Sequence, residues 1–178
     1  MPSQKAFYSV GSLNISQIKI ILFLLIGVIG AGFILYGFTQ QLPQIYYVLG
    51  SSLLLITAIY FQFTYFVALE LIVLSGHGAI LLGIGPVLQL LIPLMLCLQL
   101  LVYYLLSGEL RIFRFIGISG IALLSIGFSY ENVWVFFFGS LGISIFALYQ
   151  VFRGQYAALL RAILNLVYVF ATAFMIIF

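Results

Sequence analysis

Residues 20–29 read Ile20-Ile21-Leu22-Phe23-Leu24-Leu25-Ile26-Gly27-Val28-Ile29, without a single polar side chain, and residues 163–178 form a second long apolar run. A strand of a membrane barrel would alternate apolar and polar residues over such a stretch. Unbroken runs belong to helices, the other structure that satisfies its backbone groups inside lipid. The whole chain agrees. Its mean hydropathy is +1.35, and only 5% of its 178 residues are charged, against about 25% in soluble domains. A water-soluble fold of this size could not keep so much apolar surface dry. The expected fold class is therefore all-α, a polytopic membrane helix bundle in contact with the lipid bilayer.

Breaks of Gly, Pro, Ser and charge divide the chain. Residues 1–16 are mixed and polar and read as an interfacial segment; 17–178 read as one transmembrane domain. Its predicted spans are 17–39, 43–62, 64–84, 86–106, 110–128, 131–152 and 155–178, seven in all, each near the ~20 residues a bilayer needs. The connections are short, leaving no soluble domain and no long catalytic loop. With the N-terminus in the cytoplasm, Lys5, Lys19, Arg111, Arg114, Arg153 and Arg161 all fall on the inner side and Glu131 on the outer, as the positive-inside rule requires. The first apolar run lacks a small-residue cleavage site and reads as a retained span. Gly27 with Ala31, Ser140 with Ser144, and Gly117, Gly120 and Gly127 read as ordinary close helix packing.

Polar residues inside spans are costly and often functional. Glu70 lies about six residues into the third span, or about 9 Å deep at about 1.5 Å per residue. Arg161 lies at nearly that depth in the seventh, and both spans run inside to outside, so an ion pair between them is expected. The bland reading is a protonated Glu70 and an Arg161 snorkelling to headgroups. Arg161, Asn165, Tyr168 and Thr172 are spaced by four, three and four, one helix face, either a polar pathway or a seam bonded to neighbouring helices. Glu70 and His77 also share a face and could relay a proton, although a lone histidine is more often a hydrogen-bonded interior residue. Pro93 frees the Gln89 carbonyl in mid-span and, after Gly83-Ile84-Gly85-Pro86, reads as a hinge or a static kink. Gln99 is a further interior hydrogen-bonding candidate.

Several chemistries are excluded. Six basic residues are too sparse for a nucleic-acid surface. One cysteine, Cys97, allows no internal disulfide or CxxC motif, and one histidine removes the usual zinc sets. Three acidic residues exclude two-metal sites. No cofactor and no metal is implied. Gly117-Ile118-Ser119-Gly120 resembles the GxSG of rhomboid intramembrane proteases, but His77, the only histidine, precedes it, whereas in rhomboids the base lies on a later span. An intramembrane serine hydrolase is thus a distant alternative.

Asn132-Val133-Trp134, Leu148-Tyr149, Arg153-Gly154 and Tyr156-Ala157-Ala158-Leu159-Leu160 follow one another in the last third. This stretch resembles the end of PnuC-type vitamin-precursor transporters, relatives in fold of the SWEET sugar transporters. There an Asn and Trp open a span, a Leu-Tyr nears its end, and a Lys/Arg-Gly turn leads into Tyr-x-x-x-Leu. Ala68-Leu69-Glu70 is similar to the Leu-Glu opening of that family's core. The resemblance implies seven spans, as two three-helix bundles and a linker, that carry a small solute by alternating access without nucleotide hydrolysis. The family is rich in tryptophan at its substrate site and this chain has only Trp134, so no substrate is carried over. No clear three-helix repeat is visible along the chain itself.

The function expected is a non-enzymatic transporter or facilitator of a small polar solute, in a bacterial inner (plasma) membrane, with a pathway of Glu70, His77, Gln99, Arg161, Asn165 and Tyr168 and a hinge at Pro93. The alternative is a scaffold or subunit of a membrane complex, with a homo-oligomer or membrane-protein partner.

Overall fold

The computed structural model describes residues 15–130 and 132–178. Most of the polar segment expected at the N-terminus, with Lys5, and also Glu131 lie outside the described residues. Those described form seven α-helices: α1 Ile15–Gly37, α2 Pro43–Tyr60, α3 Thr64–Leu81, α4 Pro86–Leu106, α5 Ile112–Tyr130, α6 Val133–Phe152 and, after a 3-10 turn at Tyr156–Ala158, α7 Leu159–Ile177. The boundaries sit within a few residues of the predicted spans. Pro43 and Pro86 occupy first helical positions, where a missing N–H costs nothing. The Asn132 side chain caps α6 by accepting from the Val135 amide at 3.2 Å. Gly108 and Gly154, at φ of 68° and 89°, carry the chain out of α4 and α6 in the left-handed region. Six of the helices are long and apolar enough to cross a membrane, and 112–128 adds a shorter apolar one. The chain is an integral, multi-pass membrane protein.

Each helix packs on its sequence neighbour, and two thinner seams, α3 on α5 and α1 on α7, close a ring. α4 lies outside, against α3 and α5, and buries only Pro93, Cys97 and Tyr104. Alternation of direction puts Lys19, Arg111, Arg114 and Arg153 at one end of the bundle, called here the basic end. Arg114 pairs there with Glu109 at 2.7 Å.

The ring corrects one sequence expectation, because a three-helix repeat is present. Ile26-Gly27, Gly30 and Gly37 of α1, with Phe38 just after it, return 90 residues later as Ile116-Gly117, Gly120 and Gly127-Phe128 of α5. Gly50-Ser51, Ile56, Ala58 and Tyr60 of α2 return 89 residues later as Gly139-Ser140, Ile145, Ala147 and Tyr149 of α6. Tyr65, Leu69 and Ile72 of α3 return 91 residues later as Tyr156 of the 3-10 turn and Leu160 and Ile163 of α7. The packing repeats with the letters. A Cβ added to Gly30 would meet the Gly50 carbonyl oxygen at 2.8 Å, and one added to Gly120 would meet that of Gly139 at 2.9 Å. Each half is thus pinned by a glycine–glycine crossing that lets backbones touch, a favourable contact where no hydrophobic effect drives association. Both halves start at the basic end, so the pseudo-two-fold axis runs along the bundle.

These crossings make a matched prediction. Gly30→Ala and Gly120→Ala should each cost about 1–3 kcal/mol of stability by overpacking, and by similar amounts. Gly32→Ala, with open space around it, should cost nothing. Thermal unfolding in detergent measures all three. A cost confined to one half would break the equivalence.

Candidate functional site

The pseudo-axis passes through a chamber of about 40 Å³ at the centre of the ring. Its walls come mostly in repeat-related pairs, Ile34 with Leu124, Leu54 with Ile143, Val73 with Leu164, and Glu70 with Arg161. The last pair carries opposite charges at equivalent positions of α3 and α7, and the two side chains form an ion pair. Both are buried, at 2% and 4% exposure, which excludes snorkelling. Arg161 also donates through Nη2 to the Leu54 carbonyl oxygen at 2.8 Å and lies over the Phe66 ring, 5.5 Å from its centroid. Toward the basic end Tyr65, Phe66 and Phe146 meet edge-on or tilted, with ring centroids 3.9 to 5.8 Å apart.

The polar stripe of α7 faces inward. Arg161, Asn165, Tyr168 and Thr172 are all buried. Asn165 donates to the Arg161 carbonyl at 2.9 Å and Thr172 to that of Tyr168 at 2.7 Å, so part of the stripe is satisfied within its own helix. His77 is buried on the chamber wall. Its Nδ1 has no hydrogen-bond partner, nor has the hydroxyl of Ser51, which also lines the chamber.

Above the chamber stands an aromatic collar that the sequence reading missed. It consists of Phe38, Tyr47, His77, Phe128, Phe136 and Tyr168. Phe128 meets His77, Phe136 and Tyr47 at centroid distances of 4.3, 4.5 and 5.4 Å, and Tyr168 meets Phe38 and Phe136 at 5.5 Å each. By the lags of 90, 89 and 91, the collar is three repeat-related pairs: Phe38 with Phe128, Tyr47 with Phe136, and His77 with Tyr168. Beyond it, at the end opposite the basic one, a vestibule of about 410 Å³ opens between the ends of α1, α2, α5, α6 and α7, with Gln44, Asn132 and Thr172 on its walls. Tyr47 and Phe128 line both spaces.

Of the expected pathway residues, Glu70, His77, Arg161, Asn165 and Tyr168 therefore converge. Gln99 does not. It sits on the exposed face of α4, because the buried face of that helix runs through Pro93, Cys97 and Tyr104. Pro93 lies within the continuous helix α4, packs on Gly76 and touches a minor space beside His77, so it stands behind the chamber wall. Ser119 lines an outward groove between α5 and α6 with Gly120 and Gly142, apart from the spaces that hold His77. Among the described residues no cluster of His, Cys, Asp and Glu could hold a metal. Compared with family models, with curated proteins and with solved structures, the chain matches none.

Proposed function

We propose that this protein is a transporter or facilitator of a small polar solute in a bacterial plasma membrane. The observation that carries the reading is the stacked order of spaces on one axis: open vestibule, aromatic collar, then a chamber floored by a buried ion pair. A solute enters at the wide end and meets its polar contacts below the collar, and the packed rings of Tyr65, Phe66 and Phe146 close the other end. Two like halves about a pseudo-two-fold axis, with α4 as their tether, support this reading. The resemblance of the last third to PnuC-type carriers supports the same reading. No cofactor enters it.

One observation favours a second reading. Glu70 and Arg161 are fully packed, which also suits a membrane scaffold whose ion pair merely locks α3 to α7. A thermal-shift screen of the purified protein against small polar metabolites separates the two, since a ligand that binds only the native state raises stability by about 2.7 kcal/mol at a hundred times its Kd. A stabilising solute, lost when Asn165 or Tyr168 is truncated and carried into proteoliposomes, is the expected result. No stabilisation by any solute at millimolar concentration would leave the scaffold.

A further inference from the structure

Resting on the transport reading, we infer that the solute is a small carboxylate anion that travels with a proton, Glu70 taking the proton and Arg161 the anion.

The chamber carries one carboxylate and one guanidinium and is neutral as it stands. Both guanidinium Nη atoms are engaged, one by Glu70 and one by the Leu54 carbonyl. A charged solute reaching this depth, whether it joins the pair or displaces one partner, brings a net charge into the chamber. If a cation displaced Arg161, two positive charges would share one carboxylate, and the guanidinium has no proton it can lose in a protein. If an anion displaced Glu70, two negative charges would share one guanidinium, but a carboxylate can be neutralised by a proton. Low-dielectric surroundings make uncompensated charge expensive, so of the two the anion is the one that the chamber's own groups can neutralise, by a proton on Glu70. The step balances simply. Hydronium from the vestibule gives its proton to Glu70, water leaves, the neutral acid swings off Arg161, and the solute's carboxylate takes its place. No covalent bond other than the O–H bond changes.

The surroundings fit. At about 10–15 Å³ per water, 40 Å³ holds roughly three waters, or one carboxylate group in their stead. Ser51 Oγ and His77 Nδ1, buried and without partners, stand ready as a donor to the anion and as a station for the proton. The other titratable groups that could intervene are few. α2 presents Tyr47, α7 presents Tyr168, α3 itself adds Tyr65, and α4 offers Cys97 and Tyr104, which face Tyr65. α1, α5 and α6 bury no acidic or basic side chain among the described residues, so Glu70 is the one buried carboxylate.

The test exploits reciprocity, because an anion that binds better when Glu70 is protonated must raise proton binding in return. Sodium formate, acetate and pyruvate are added in turn to the purified full-length protein in weakly buffered detergent solution, with formamide as the uncharged counterpart of formate. Saturable uptake approaching one proton per chain is expected for at least one carboxylate and none for formamide. Glu70→Gln should bind the anion without proton uptake. If that variant does not fold, the infrared difference spectrum of the native protein on adding the anion should show loss of a carboxylate stretch and growth of a carboxylic-acid carbonyl band. No proton uptake and no such band with any of the three anions overturns the inference. Flux of a solute into proteoliposomes without protons would leave the transport reading standing and remove this one. Proton-linked anion binding with no flux would remove the transport reading, and with it the travel of the solute, and leave Glu70 and Arg161 as a proton-linked anion site.

Discussion

Replacing Glu70 by leucine is expected to lower the unfolding free energy by about 3–5 kcal/mol, the usual cost of stranding one member of a buried pair. Replacing Arg161 by methionine should cost less near neutral pH, because a lone Glu70 can take a proton whereas a lone Arg161 cannot shed one. The cost of Arg161→Met should grow as the pH rises, since folding then requires a carboxyl that keeps its proton. The exchange of both, Glu70→Arg with Arg161→Glu, should recover most of the loss. The reason is the repeat: position 70 of α3 and position 161 of α7 are equivalent about the axis, and so are Leu54 and Ile143 on the facing helices. An arginine at 70 would find the Ile143 carbonyl where Arg161 now finds that of Leu54. Reversible unfolding in mixed micelles, followed for the two single variants and the exchange, gives the coupling directly. An exchanged protein no more stable than Glu70→Leu would mean that the two halves are not equivalent at the ion pair.

Much of this was legible in the sequence, for physical reasons that also explain the rest. Span positions follow from apolar length, and Pro43, Pro86, Gly108 and Gly154 mark ends by backbone chemistry that holds in any context. The Glu70–Arg161 pair was readable because charge inside lipid must find a partner and the two depths matched. Gln99 was misplaced because an amide, unlike a charge, can sit on an exposed helix face, and depth alone says nothing of direction. The face of α4 is set by Pro93, Cys97 and Tyr104, and a proline or a cysteine in an apolar run does not by itself say which way its helix face turns. The collar was invisible because Phe38, Phe128 and Phe136 are three of 18 phenylalanines, and an aromatic in a membrane span usually meets lipid. The repeat holds the missing signal. The lag between halves drifts from 90 to 89 to 91 with unequal turns, so no single offset aligns them, and interchange of Leu, Ile, Val and Phe erases identity elsewhere. Aligning helix by helix on Gly27, Gly30 and Gly37 recovers it, and with it the collar.

The collar gives the second large effect. Phe136 meets Phe38, Phe128 and Tyr168, and aromatic contacts contribute about 0.5–1.5 kcal/mol each beyond their area. Truncating Phe136 to alanine removes all three and widens the passage between vestibule and chamber. Because about 1.4 kcal/mol is a factor of ten, access to the chamber should rise by one to three orders of magnitude. Ser51, 1% exposed on the chamber wall, provides the reporter as Ser51→Cys, a nearly isosteric change, in a Cys97→Ala background free of other thiols. A small water-soluble methanethiosulfonate should label this cysteine slowly with the collar intact and quickly with Phe136→Ala. Phe138→Ala, two residues away on the outer face of α6 at 51% exposure, should leave the rate unchanged, which separates loss of the collar from general loosening of the helix. Equal rates with and without Phe136 would show that these rings do not guard the chamber. Equal acceleration by Phe138→Ala would show that α6 opens as a whole. The outcome expected on a gated path is acceleration by Phe136→Ala alone, reversed by any solute that fills the chamber, because only then does the same small space both admit the reagent and hold the cargo.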